Sequence, residues 1–324
     1  MLDVRGLNIS LNTSSGAVNI VKDLDFSIAE GRIFGLAGES GCGKSLASLA
    51  VMGLLPQVMS ASGSVRFKGR ELMGLGDKAM RSIRGAEMAM IFQEPMTSLN
   101  PVLRVGHQIE EVINAHLKVR KGDAERLAVS LLRAVRIPNP EIRAREYPHQ
   151  MSGGMRQRVM MAMAIACSPA LLIADEPTTA LDVTIEAQIL DLIRELRDQK
   201  GMGVLLITHD LGVLSENADE VAIMYAGRLV EHAPVSSLFG EGSQTPSHPY
   251  TLGLLSSLPE VRGTRLTPIR GSVPKPGLLP TGCKFSDRCD FRIDACSADE
   301  PALVEVRPGH LSRCLRAKES PWIR

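Results

Sequence analysis

Two glycine-rich turns in this chain each precede helical spacing, and each has the composition of an anion site. The first, Gly38-Glu39-Ser40-Gly41-Cys42-Gly43-Lys44-Ser45, matches G-x-x-x-x-G-K-[ST] at every fixed position, between an apolar strand and a helix. Its glycines let successive backbone N–H groups turn toward a phosphate, and the helix start adds positive potential. Lys44 suits the β- and γ-phosphates of a nucleotide, and the Ser45 hydroxyl suits Mg²⁺. The second turn, Ser152-Gly153-Gly154, lies more than a hundred residues downstream and raises the question of what a second anion site would hold.

Carboxylates complete the first site. "LLIADEP" is a buried strand ending in Asp175 and Glu176, which can direct Asp175 to the magnesium and Glu176 to an attacking water. Glu176 is the candidate general base, because water beside a γ-phosphate needs a proton acceptor in line. His209, after "LLIT", and Gln93, after "MAMIF", also end apolar strands, where polar side chains can meet phosphate or metal. Taken singly, such a histidine is more often structural and Gln93 is similarly ambiguous; their order and their positions at strand ends favour chemistry.

The elements that must position these residues alternate between strand and helix. "LDVRGLNISL", "AVNIVKDLDFSI" and "GRIFGLAG" read as strands, the last entering the first loop. "KSLASLAVMGLL" has helical spacing up to Pro56. "GSVRFKG" and "EMAMIFQ" read as strands, and residues 95–165 are mostly helical. "ALLIADEP" and "MGVLLITHD" are buried parallel strands flanking an amphipathic helix, "TIEAQILDLIRELRDQ". "EVAIMYAGRLVEHA" is a hairpin turning at Gly227. The Met-rich "VMMAMAIA" reads as adaptable core packing. Near residue 240 the texture becomes rich in Pro, Gly and Ser, which divides the chain into residues 1–240 and 241–324.

Composition removes several classes. Lys+Arg number 37 against 36 Asp+Glu, so no basic nucleic-acid surface is implied. Aromatic residues make up 3% of the chain, too few for a base-stacking platform. The most apolar run is broken by Ser168 and Pro169, which argues against a transmembrane helix, and "MLDVRGLNIS" lacks the shape of a signal peptide. A cytoplasmic chain is expected. Four of six cysteines, Cys283, Cys289, Cys296 and Cys314, cluster near the C-terminus, and in a reducing compartment that points to metal rather than disulfides. Cys42 and Cys167 need no function.

The phosphate loop, "IFQ", "SGG", "IADEP", "ALD" and "THD", in this order over residues 1–235, resemble the ATP-binding subunit of an ABC transporter. The resemblance implies a RecA-like α/β P-loop core with an antiparallel β subdomain and a helical subdomain at about 95–165 that docks membrane partners. It implies that Ser152, Gly153 and Gly154 cap the γ-phosphate of ATP held by an opposing subunit, which accounts for the second turn. It assigns Gln93 to Mg²⁺ and to relaying closure, Asp182 to the subunit interface and His209 to the γ-phosphate. Two departures stand out. Met151 and Met155 replace the family's usual Leu and Gln. No aromatic residue of the early strands is available to stack on adenine, where Val18 offers only an apolar contact.

"SHPYT", "GCKFSDRC" and "GHLSRC" resemble the C-terminal extension of peptide and nickel importer subunits. "KSLASLAVMGLLP" and "SGGMRQRVMMAMA" resemble the first of the two unlike ATPases of dipeptide importers. This implies a heterodimer with a sister ATPase, two transmembrane permease subunits, an external binding protein and a peripheral place on the cytoplasmic face of the inner membrane. The resemblance also implies one [4Fe–4S] cluster, with Cys283, Cys289, Cys296 and Cys314 as its ligands. Four thiolates are its usual complement, and spacings of five, six and seventeen residues differ from the C-x₂-C pairs of common zinc sites. A zinc site and unligated thiols are the alternatives there. For the whole chain they are nickel or nickel-chelate uptake and, in another class, an ABC ATPase acting on ribosomes or DNA.

Overall fold

The computed structural model describes residues 1–14, 16–93, 98–120, 122–179, 181–239, 246–257, 269–319 and 322. The expected start of the helical stretch at residue 95 and the expected boundary at 240/241 lie outside these residues. The chain packs as two compact units. One comprises Met1–Ser27, Ile33–Met73 and Leu206–Arg324; the other comprises Ile28–Arg32 and Gly74–Leu205.

The first unit opens with β1 (Leu2–Thr13) and β2 (Gly16–Ile28), and β3 (Ile33–Ala37) then runs into the phosphate loop and α1 (Lys44–Val51). β4 (Met59–Phe67) and β5 (Arg70–Glu71) complete an antiparallel sheet of order β2-β1-β4-β5, with Leu2 opposite Phe67 and Leu11 opposite Met59. Alternation along β1 buries Leu2, Val4, Leu7 and Ile9. β3 is buried at every position, as its uninterrupted apolar run requires. α1 ends at Val51, short of the Pro56 suggested by its spacing; the Gly53 N–H closes a turn onto Ala50 at positive φ instead.

The second unit contains α2 (Asp77–Ile83), β6 (Met88–Ile91), α3 (Val105–His116), α4 (Asp123–Ala134), α5 (Pro140–Arg143), α6 (Gly153–Ile165), β7 (Leu171–Asp175) and α7 (Val183–Lys200). β6 and β7 pair in parallel, with Met88 beside Leu171 and Ile91 beside Ala174. The methionine-rich face of α6 is core, with Met160 and Met161 buried. β6 stops at Ile91, so Gln93 lies two residues past the strand and is exposed.

β8 (Gly203–Ile207) leads back into the first unit, followed by α8 (Leu211–Asn217), β9 (Glu220–Tyr225) and β10 (Arg228–Pro234). β9 runs parallel to β3, and β9 and β10 form the expected hairpin at Gly227. That glycine has φ +75°, and a Cβ on it would sit 1.8 Å from the Ile20 carbonyl. Its N–H donates to Cys42 C=O and its own C=O accepts from Lys22 N–H, so the turn ties the phosphate loop to β2. α9 (Val235–Phe239), α10 (Pro249–Leu255), β11 (Val304–Arg307) and β12 (His310–Ser312) follow, with β12 paired to β10. The C-terminal segment has a small apolar core of its own, including buried Phe285, Cys296, Ala317 and Trp322, which its Pro-rich composition did not announce. Among the described residues no helix is long and apolar enough to cross a membrane.

Candidate active site

In the first unit the phosphate loop takes backbone angles that suit glycine, with Gly41 at φ +79° and Gly43 at φ +105°. A Cβ on Gly38 would meet Met224 O at 2.2 Å, so the loop can follow β3 only with glycine there. Lys44 is buried, and its ammonium donates to the carbonyls of Gly38 at 2.7 Å and Glu39 at 3.2 Å. The cation is thus held over the loop, where phosphate oxygens can replace carbonyl oxygens as its acceptors. Ser45 opens α1 half-buried. Cys42 is buried, which pushes its thiol up against the opposing pull of Lys44; it serves packing. Ser40 and Gly41 are exposed on the loop's outer rim.

His209 is exposed directly after Thr208, whose N–H donates to Leu36 C=O at 3.2 Å. β8 therefore delivers His209 beside the end of β3, two residues before the loop begins. Asp210 caps α8 by accepting from the N–H groups of Gly212 and Val213, which accounts for the last residue of "THD".

In the second unit β7 is wholly buried and carries Asp175 at its end. Glu176 follows at φ +47°, an unusual angle for a side-chain-bearing residue, which turns the chain sharply and keeps its carboxylate half-buried. That carboxylate accepts from Gln93 Nε2 at 3.0 Å and from Thr179 Oγ1 at 2.9 Å. Two residues singled out 83 positions apart are thus in direct contact.

The second glycine turn heads α6. Ser152 is its N-cap and accepts from the Met155 N–H at 3.3 Å, while Asp182 caps α7 by accepting from the Ile185 N–H at 2.9 Å. Both helix starts open on one cavity of about 720 Å³, lined also by Gly153, Gly154, Arg136 and Arg158. The first N–H groups of a helix have no intrahelical acceptor, and the helix dipole favours an anion at that end. Gly154 lets the helix starts approach, since a Cβ there would press on Ile185 Cγ2 at 2.9 Å. Arg158 is buried and fixed to the carbonyls of Val135 and Arg136 and to Gln188. Met151 is buried as an apolar residue, and Met155 is half-buried.

Val18 is half-buried on β2, and the nearest atom to a Cβ built on Gly277 is Val18 Cγ1, so the C-terminal segment lies beside it. The four clustered cysteines line a single cavity with Phe285 and Trp322, and Cys283 N–H donates to Cys296 C=O. Burial pushes Cys289 up to about 11 and Cys314 up to about 12. Among the described residues no three or more His, Cys, Asp or Glu side chains group closely enough to hold one metal ion. Tyr250 and Arg288 carry no chemical signature in the sequence, yet both meet the phosphate loop. The Tyr250 hydroxyl accepts from the Glu39 N–H, and Arg288 pairs with the Glu39 carboxylate. At 249 residues' separation no local pattern marks that pair.

Residues 21–179 match the family model for the ABC transporter, and residues 230–296 match that for the oligopeptide/dipeptide transporter, C-terminal region. A probable peptide ABC transporter ATP-binding protein of Sinorhizobium fredii is 48% identical, covering 98% of this chain and 96% of its own length. A putative peptide import ATP-binding protein of Brucella melitensis is 46% identical, covering 98% of each. In fold, the chain is similar to the ATP-binding cassette MJ0796 in a dimeric post-hydrolysis state bound to ADP and Pi. The TM-score is 0.66 at 24% identity, over 72% of this chain and 99% of the other. It is also similar to cbiO1 of Clostridium perfringens, with a TM-score of 0.63 at 25% identity over 74% and 91%. The chain belongs to the ABC transporter family, as an ATP-binding and ATP-hydrolysing subunit of its oligopeptide/dipeptide branch.

Proposed function

We propose that this subunit powers import of di- or oligopeptides, working with a sister ATPase and two transmembrane permease subunits fed by an external binding protein. It sits peripherally on the cytoplasmic face of the inner membrane. Residues 1–240 form the ATPase part, and residues 241–324 form the peptide-importer extension. The observation that carries hydrolysis is the Glu176 carboxylate, held by Gln93 and Thr179 directly after Asp175.

Lys44 and the loop N–H groups bind the β- and γ-phosphates of ATP. Ser45 and Asp175 each offer a hard oxygen of the kind Mg²⁺ takes; this ion commonly uses one or two carboxylates with substrate phosphates and water, and would supply charge neutralisation. Glu176 accepts the proton of the water that attacks the γ-phosphorus, and ADP and phosphate leave. His209 donates toward the γ-phosphate. Ser152, Gly153 and Gly154, with Asp182 at the interface, close on the nucleotide of the sister subunit.

For the four-cysteine cavity the reading is a [4Fe–4S] cluster, supported by the count of four thiolates lining one cavity, with zinc as the alternative. Four thiolates on one zinc ion must all approach it to about 2.3 Å, whereas cubane ligands bind different irons and stand farther apart. Cys283, Cys289, Cys296 and Cys314 line one apolar cavity without forming a single-ion group. The thiols must lose their protons to bind, and the buried cavity favours metal over free thiolates.

The reading is tested by deleting the gene and growing an auxotroph on di- or oligopeptides, which should fail. Normal peptide use with lost nickel-enzyme activity would replace peptide by nickel as cargo. Co-purification with ribosomes and without membrane subunits would remove transport altogether.

A further inference from the structure

The phosphate loop carries a carboxylate, Glu39, close to where the triphosphate binds, and like charges oppose each other there. In this chain that charge is answered from the far end of the sequence. Arg288 Nη1 donates to Glu39 Oε2 at 2.6 Å and Nη2 donates to Oε1 at 3.0 Å, a two-pronged pair. The Arg288 side chain is 6% exposed and that of Glu39 is 32% exposed. Nε of Arg288 donates to Arg270 C=O at 2.7 Å, and the guanidinium lies 5.6 Å from the Tyr225 ring centre and 5.9 Å from that of Phe285. Tyr225, Tyr250 and Phe285 pack edge to face or tilted with centres 4.8–5.4 Å apart. A chain with eleven Phe, Trp and Tyr residues spends three of them on this seat.

The same cluster grips the loop's backbone. Tyr250, fully buried, accepts from the Glu39 N–H at 2.9 Å, while the Glu39 carbonyl accepts from Lys44. Glu39 is therefore fixed at its N–H, its carbonyl and its carboxylate, and the first two contacts set the peptide planes on either side of it.

We infer that Arg288 is a positioning residue for ATP binding: it neutralises Glu39 and, with Tyr250, holds the phosphate loop in the form that receives phosphates. The inference rests on the reading of this loop as the ATP site. The C-terminal extension thereby belongs to the nucleotide site as well as to the cysteine cavity. The geometry makes two demands that a merely structural contact would not. Removing the arginine should harm ATP binding through the uncovered carboxylate, and removing the carboxylate as well should restore it.

The test uses the full chain and titrates ATP by equilibrium binding, with thermal melting and iron content recorded for every variant. Arg288→Met keeps the stem over the rings and removes the charge. It should weaken ATP binding roughly tenfold, the scale of one like-charge interaction across partly exposed protein, with the loss shrinking in high salt. Glu39→Gln combined with Arg288→Met should return to within about threefold of wild type, and Arg288→Lys should fall between wild type and Arg288→Met. In the assembled ATPase the loss should appear in KM for ATP more than in kcat. A folded Arg288→Met with wild-type affinity overturns the inference, as does a double variant no better than the single one. If Arg288→Met does not fold, Arg288→Lys decides by the same salt-dependent loss or its absence. Lys44→Ala separates the two levels: unaltered ATP binding there would remove the loop as the ATP site, whatever Arg288 does.

Discussion

The Gln93 amide donates to the Glu176 carboxylate at 3.0 Å, and the Thr179 hydroxyl reaches the same oxygen at 2.9 Å. Two neutral donors thus orient the carboxylate through one of its oxygens. The positive φ of Glu176 aims the side chain away from the continuing strand direction. Such an angle costs of the order of 1–3 kcal/mol unless the surroundings impose it, and here the two donors belong to those surroundings.

Glu176→Gln should bind ATP but hydrolyse it roughly 10²–10⁴-fold more slowly, the usual consequence of losing a general base. Gln93→Ala should cost less, roughly 10–10²-fold in kcat, because the base remains and only its aim is lost. Steady-state ATPase assays of the assembled transporter measure both. Wild-type turnover with Glu176→Gln would mean that another group, or the sister site alone, carries the reaction.

The second glycine turn allows a separate experiment. Ser152→Arg removes an N-cap contributing about 1 kcal/mol and puts bulk at the mouth of the cavity between α6 and α7. Turnover at the site shared with the sister subunit should fall, while the isolated chain still labels with a photoreactive ATP analogue. Loss of labelling in the isolated, folded variant would show that the turn serves the chain's own nucleotide.

What could be read from sequence follows the range of the interactions. The phosphate loop is eight contiguous residues whose glycines and lysine act through local backbone geometry, so its spacing alone identifies it. Asp175 and Glu176 are a weak signal alone, since paired acids are common where strands run into solvated turns, and become legible only beside the phosphate loop. The seat of Arg288 is invisible in this way. Its partners Tyr225, Tyr250, Phe285 and Glu39 are scattered along the chain, and one arginine among many carries no mark of its partner. The end of α1 is set locally instead: apolar spacing continues past Val51 in "MGLL", but Gly53 at φ +62° ends the helix first. β11 and β12 are too short for alternation to show; β12 is defined by its pairing with β10, and β11 by its pairing with β12.

Acid should loosen the C-terminal segment through Glu300. This carboxylate bonds Arg228 Nε at 2.5 Å and lies 3.3 Å from Lys284 Nζ. Burial works to raise its pKa, but the hydrogen bond and charge of Arg228, aided by Lys284, hold it below the usual glutamate value. Its contribution is therefore complete above the unfolded-state value of about 4.3 and is lost as pH falls through the lower folded value. Glu300→Gln should destabilise the protein by roughly 3 kcal/mol at pH 7, because Arg228 is left buried without its anion. The gap to wild type should narrow below pH 4. Melting curves between pH 7 and pH 3.5 check this, and a gap that stays constant would remove Glu300 as the titrating group.

The thiols of Cys289 and Cys314 are pushed up to about 11 and about 12 by burial, so at neutral pH they are poor free nucleophiles and need a metal to become thiolates. Cys283, Cys289, Cys296 and Cys314 come from loops and short turns around Phe285 and Trp322, and a centre bound to all four would pin segments that share only a small apolar core. Arg288 directly precedes Cys289, so the cavity adjoins the seat of the phosphate loop. Anaerobically purified protein should be brown and hold roughly four iron and four sulfide per chain. Cys289→Ser should lose most of both and melt earlier. About one zinc per chain without sulfide would establish a mononuclear site, and metal-free protein with an unchanged melting temperature would show that the four thiols pack without a metal.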